Sequence, residues 1–460
     1  MKLRLIFLFV LSVFFVSLAN SDKRDIKEIV QEILKDKDVR AGIYVESLTE
    51  KKRLLIINSQ EPFIPASNQK ILTTATALIN LTPDYRFKTQ ILTDGYIRNG
   101  VVYGNLYLKG GADPSLTDED IERIVKNLKE MGIKKVEGSV VGDNSFFSEE
   151  GIGHGWPEKD LNYCFTAPFS GLSLNENCLR IKVVSSKNKV FVELYPDNSY
   201  YQVVNDLKVS KKLIGHKITV EGRKIYITGS IKPNSAFEIS VPVESPSLFT
   251  TSVFYKKLVQ SGISIDEGYH LGNTPSNSNV LFIHYSHPLK ELIKKANKDS
   301  DNFYAEQIFR TLGKEILGKG NTESSSLVVL KTLRNIGVNT ENIRIYDGSG
   351  LSKFNLITPE SLVKILSYMY NTPYFFDFYQ SLAVAGTDGT LKHRFRDIKG
   401  KIYAKTGYIK GVKNLSGYVI SDNSEVYVFS ILVNDLKSTE IANLLQEKIC
   451  SILVGKESQL

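Results

Sequence analysis

The chain of 460 residues carries 58 Lys and Arg against 50 Asp and Glu, a formal net charge of +8, and is 42% hydrophobic and 10% aromatic. These values exclude disordered, collagenous and coiled-coil architectures and leave enough chain for a large core and about 2–4 domains. The positive surplus is scattered with no long basic block, which argues against a nucleic-acid partner.

The first element is MKLRLIFLFVLSVFFVSLANSDKR, where Lys2 and Arg4 precede an apolar run from Leu5 to Leu18. That run is short for a membrane span, which needs about 20 residues. Small residues follow it at the cleavage-defining positions around Ala19, so residues 1–19 read as a secretory signal peptide, with an uncleaved anchor as the alternative. No cysteine lies near the run, so a lipoprotein is not indicated. No later apolar run is long enough to span, and the mature chain is expected to be soluble, with no integral membrane segment after cleavage.

Residues 25–35 place Ile26, Ile29, Val30, Ile33 and Leu34 on one helical face. AGIYVESL and RLLIINS follow as a hairpin around the polar turn TEKK, and PASNQKILTTATALINL reads as a helix. From residue 92 the texture changes to short alternating strands, interrupted by helices near Asp118–Met131 and Ser247–Ser261. After residue 281 helices return at 288–298, 303–317, 322–336 and 358–371. The strands KIYAKTGYI, SGYVIS and EVYVFSILVN then lead to a last helix from Ser438. The expected fold class is α+β: an antiparallel sheet with helices, built from residues 20–91 and 281–460. A β-rich insertion of one or two subdomains over 92–280 splits it.

Three cysteines are too few for a disulfide scaffold. Cys164 and Cys178 lie in one loop-rich stretch, where an oxidising compartment would permit a bridge; Cys450 falls in the apolar pattern of the last helix and reads as a buried free thiol. Six scattered His form no HExxH and no close cluster, so neither a metal nor another cofactor is implied.

Three short motifs carry chemistry. Ser67 and Lys70 open a helix one turn apart on one face, beside unpaired N–H groups at the helix start. A neutral Lys70 there can take the Ser67 proton, provided its pKa falls from about 10.4 toward 7 through burial and nearby cations. Ser300-Asp301-Asn302 joins two helices, where a serine and an asparagine on one connection can relay a proton and hold an amide. Lys405-Thr406-Gly407 lies on a strand, where a cation and a hydroxyl suit a carboxylate laid along the backbone. Each is common alone. Ser186-x-x-Lys189, Ser421-Asp422-Asn423 and Ser173-Leu174-Asn175 repeat two of the patterns in turns, where turn chemistry accounts for them. In the order S-x-x-K, S-x-N, K-T-G, each in its required context, the three form an active-serine signature.

With that signature, and with GGADPSL (110–116), GDNSFF (142–147), GWPEKDLNYCFTAP (155–168), YDGSGLS (346–352) and GTDGTLKHRF (386–395), the sequence resembles the penicillin-binding proteins of the D-alanyl-D-alanine carboxypeptidase/endopeptidase family, low-molecular-mass class C. The wide interval between Ser67 and Ser300 is also characteristic of that group. The resemblance covers nearly the whole mature chain. It implies a β-lactamase/transpeptidase-like catalytic domain acting on peptidoglycan stem peptides in the periplasm, with β-lactams as acylating inhibitors. It makes Ser67 the nucleophile, Lys70 its base and Ser300 the proton relay to leaving D-alanine. Asn302 would hold the peptide amide, and Lys405, Thr406 and Gly407 the carboxylate end. Backbone N–H groups of Ser67 and Tyr408 would form the oxyanion hole; many relatives carry Ser or Thr where Tyr408 stands, which puts the pocket shape in question. The GWPEKDLNYCFTAP stretch would reach the cleft, Asp160 pairing with the amine of a diamino acid and Phe165 packing on its stem; a surface Asp and a core Phe are the plainer readings. Trp156 reads as a packing anchor, and the glycines of DGSG and TDGT as turn residues. The resemblance also favours a Cys164–Cys178 disulfide. The alternatives are a non-catalytic peptidoglycan-binding protein, against which the intact triple motif argues, and a β-lactamase, against which the absence of a Glu in any motif resembling a deacylating loop argues. Oligomeric state is not legible.

Overall fold

Strands that are apolar on both faces need cover on both faces, and Arg40–Ser47, Val412–Ile420 and Val426–Asn434 are of that kind. In the computed structural model, which describes residues 25–212 and 215–456, they form the centre of a six-stranded antiparallel sheet. Its order is Ala383–Val384, Ile402–Ile409, Val412–Ile420, Val426–Asn434, Arg40–Ser47, Lys52–Ile57. Helices Ile26–Leu34 and Glu440–Val454 cover one face around Ile43, Leu415, Phe429 and the buried free thiol Cys450. The other face carries Gln69–Leu81, Leu289–Lys298, Asn302–Leu317, Thr322–Asn335, Pro359–Tyr370 and Phe375–Ser381, packed around Leu72, Ile293, Phe309 and Leu366. The signal-peptide expectation falls on residues outside those described.

Between the first helix of that layer and the rest, Lys88–Thr93 pairs antiparallel with Asn279–Tyr285, so the chain leaves and returns side by side. The intervening residues build four further sheets. Two of them lie beside helices Asp118–Glu130 and Pro246–Gln260, with Ile121, Ile124, Phe249 and Val253 in a separate core. A capping box on Thr117 and Asp120 starts the first of these helices. Several pairings here are parallel, among them Leu106–Lys109 with Val140–Asp143. Cys164 and Cys178 are joined by a disulfide. Among the described residues no helix is long and apolar enough to cross a membrane.

Candidate active site

Ser67 lies in a 3-10 turn, Ala66–Asn68, that runs directly into the Gln69–Leu81 helix. Ala66 sits at φ +45°, a left-handed conformation sparsely populated for a residue with a Cβ. The turn is tied down from the sheet. Asn414 Nδ2 donates to the carbonyls of Ile64 (2.9 Å) and Pro65 (2.7 Å), and Asn68 Nδ2 donates to the Lys405 carbonyl at 2.7 Å. Ser416 Oγ donates in turn to Asn68 Oδ1 at 2.8 Å. Gly407 lets the Lys405 strand lie against the turn: a Cβ there would stand 2.7 Å from the Pro65 carbonyl oxygen.

Lys70, one turn after Ser67, is fully buried, and its Nζ donates to Ser67 Oγ (3.1 Å), Asn302 Oδ1 (2.7 Å) and the Ser349 carbonyl (2.7 Å). Burial lowers its pKa from 10.5 to about 8, against the opposing pull of Asp347, Asp301 and Glu306. Lys405 is also fully buried; its Nζ donates to Ser300 Oγ at 2.8 Å and to the Thr406 carbonyl at 2.9 Å. Burial first, and the Lys70 charge second, hold its pKa well below the ordinary lysine range. Thr406 Oγ1 donates to Thr390 Oγ1 at 2.8 Å, which brings the TDGT turn to the strand.

Ser300 adopts φ +61° between two helices, and Asp301 caps the second, accepting from Tyr304 N at 2.9 Å. Asn302 therefore starts a helix with its amide held at both ends, Oδ1 on Lys70 and Nδ2 donating to the Phe165 carbonyl at 2.8 Å. Phe165 comes from the inserted segment; its ring is exposed and stacks on Tyr163. Asp160, one short turn earlier, is partly exposed, and its carboxylate has no hydrogen-bond or ion-pair partner among the described residues. Tyr408 is 64% exposed, with Lys413 Nζ 5.8 Å from its ring centroid.

Beneath this layer lie Glu306 and Asp347, which sequence reasoning did not single out, and Trp156, whose reading as a packing anchor the fold bears out. Glu306, buried on the Asn302–Leu317 helix, accepts from the N–H groups of Gly348 (3.1 Å) and Ser349 (2.8 Å) and pairs with buried Arg310. Asp347 accepts from Gly350 N, Ser352 N, Asn355 Nδ2 and Trp156 Nε1, so the only Trp anchors the loop whose Ser349 carbonyl faces Lys70. Gly350 has φ +86°, and a Cβ there would lie 1.9 Å from the Ala66 carbonyl oxygen. Only the fold reveals the roles of Glu306 and Asp347. The repeated motifs elsewhere are structural: Ser186 and Lys189 bond one another across a strand connection, Ser421 Oγ bonds Asn423 and the Glu425 carbonyl, and Ser173 Oγ accepts from Asn177.

Fold and site together set a serine beside a buried lysine, next to an antiparallel sheet. The profile of the D-Ala-D-Ala carboxypeptidase 3 (S13) family matches residues 25–453, and the chain belongs to that family of hydrolases. It is 29% identical over 446 residues to D-alanyl-D-alanine carboxypeptidase DacB of Haemophilus influenzae, covering 94% of this chain and 92% of that one. A crystal structure of penicillin binding protein 4 (dacB) from Haemophilus influenzae superposes with a TM-score of 0.81 at 25% identity, covering 94% and 99% of the two chains. The form of that protein complexed with a β-lactam gives 0.78 at 24% identity and the same coverage.

Proposed function

We propose that the protein is a penicillin-sensitive DD-peptidase of peptidoglycan that works through an acyl-enzyme on Ser67. The observation that carries this reading is the buried Lys70 Nζ, 3.1 Å from Ser67 Oγ and lowered to about 8, close enough to neutrality to serve as a base. Ser67 Oγ attacks the carbonyl of the penultimate D-alanine and its proton passes to Lys70. The developing oxyanion is met by the N–H groups of Ser67 and Tyr408, where each such donor contributes about 3 kcal/mol. Ser300, hydrogen-bonded to Lys405, returns a proton to the leaving amine, which is D-alanine or, at a crosslink, a diamino acid. Water then hydrolyses the ester. Asn302 holds the stem-peptide amide, while Lys405 and Thr406 receive the terminal carboxylate. Asp160 pairs with a diamino acid amine and Phe165 packs on its stem.

β-Lactams acylate the same serine as substrate mimics. Residues 1–19 direct export to the periplasm, and the catalytic domain is residues 20–91 with 281–460, carrying the 92–280 insertion. The test is the intact mass of the mature protein after penicillin exposure, beside Ser67→Ala. A single stable adduct absent from the variant is the expected result. Rapid loss of the adduct with penicillin consumed points to a β-lactamase, and no adduct on folded protein to a wall-binding protein.

A further inference from the structure

Thr406, proposed to receive the terminal carboxylate, does not have its proton free: its Oγ1 donates to Thr390 Oγ1 at 2.8 Å. A hydroxyl carries one proton and two lone pairs. Two hydroxyls in contact therefore spend one proton on each other and turn the second outward. Here the outward proton belongs to Thr390, whose side chain is exposed and whose hydroxyl donates to no acceptor among the described residues. Rotation of both hydroxyls would pass that proton to Thr406 and leave Thr390 bonded to it, so neither residue meets a ligand without the other.

The turn that carries Thr390 is tied to both halves of the site. Thr387-Asp388-Gly389-Thr390 follows the short strand Ala383–Val384, which pairs antiparallel with the strand of Lys405 and Thr406. The N–H groups of Thr387 and Asp388 reach the Val384 carbonyl at 3.1 and 3.2 Å, and Asp388 Oδ1 accepts from Val384 N at 2.8 Å. Asp388 Oδ2 pairs with Lys298, two residues before Ser300. The one carboxylate of the turn is thus matched by a cation, and the side chain next to Thr406 is a neutral donor.

We propose that Thr390 is a substrate-binding residue: its hydroxyl and that of Thr406 each donate to one oxygen of the terminal carboxylate, exchanging their mutual bond for two charge-assisted ones. The proposal rests on the DD-peptidase reading for what occupies the cleft. A ligand whose end is amidated or esterified lacks the charge that drives this exchange. Thr390 therefore favours substrates that end in a free carboxylate.

The experiment is the second-order rate of acylation of the full mature chain by benzylpenicillin, which carries a carboxylate, and by its methyl ester, which does not. Wild type is compared with Thr390→Val, Thr390→Ala and Thr390→Ser. Valine keeps the shape of threonine without the hydroxyl. Thr390→Val is expected to be about tenfold slower with the acid, the effect of one lost hydrogen bond to a charged group, and within about twofold of wild type with the ester. Thr390→Ser should restore the rate with the acid. Equal losses on acid and ester would mean that the residue only shapes its turn, and they overturn the proposal. An unchanged rate with the acid does the same. Should the valine variant fail to fold, Thr390→Ala is read in its place.

Binding without turnover gives a second readout. In a Ser67→Ala background, the dissociation constants of an N-acetylated peptide ending in D-Ala-D-Ala and of its C-terminal amide are measured with and without Thr390→Val. The substitution is expected to weaken the acid about tenfold and the amide far less. A preference for the acid that Thr390→Val does not reduce overturns the proposal. A wild type that forms no penicillin adduct overturns the serine reading instead, and the binding series then decides on Thr390. No binding of the acid at all removes the carboxylate site, and Thr390 with it.

Discussion

Ser67 is held in place by a strained neighbour, Ala66, whose left-handed backbone persists because Asn414, Asn68 and Gly350 surround it. Lys70 reaches Ser67 and Asn302 reaches Lys70, while Ser300 and Lys405 pair with each other; all are motif residues that the sequence displays. What holds them is not legible there. Glu306 and Asp347 are ordinary acidic residues in a helix and a turn, and nothing local marks them as buried acceptors of backbone N–H groups. Asp160 differs from both in having a partly exposed carboxylate with no partner among the described residues. Its proposed pairing with a substrate amine is worth about 1 kcal/mol for a partly exposed ion pair. Asp160→Ala should then lower kcat/KM about fivefold on stem peptides with a free side-chain amine and leave penicillin acylation unchanged. Unchanged turnover of those peptides would remove Asp160 from the site.

At the scale of elements, periodicity identified the framing helices and the terminal strands, since amphipathic faces and apolar strands are local properties. Pairing partners are not local. Alternation marks Leu106–Lys109 and Val140–Asp143 as strands without indicating that they lie parallel, a helix apart. The short helix Phe375–Ser381 is not marked by the sequence; its FFDFY stretch suits a strand equally well, and its packing on Tyr418 and Tyr403 decides the matter. The contact between the DGSG turn and the Ala66–Asn68 turn is another such case. Gly350→Ala would push a methyl into the Ala66 carbonyl from a left-handed backbone. Displacement by about 1 Å is expected to slow acylation about 100-fold. The variant should still melt cooperatively, and wild-type acylation by it would refute the coupling.

Across the whole molecule, an early strand is paired with the last: Arg40–Ser47 lies in register with Val426–Asn434. Asn434 itself accepts from Ile64 N at 2.8 Å and donates to the Ile64 carbonyl. The inserted residues close on themselves through Lys88–Thr93 and Asn279–Tyr285 and have their own core. A chain ending at Ser421 is therefore expected to form no penicillin adduct, yet to keep a melting transition from that inner core. An adduct on such a chain would contradict this.

The pairing of early and late strands has a temporal side. Synthesis proceeds from the amino end at roughly 5–20 residues per second, so on the order of tens of seconds separate the appearance of Ser67 from that of Asn434. For most of that interval the inserted residues can pair their own strands, though Trp156 and Phe165 still lack Asp347 and Asn302, while the serine turn has none of its anchors in the sheet. A hydrolase arranged this way completes its proposed active site last: Ser67 is present early but is set in geometry only when translation is nearly over.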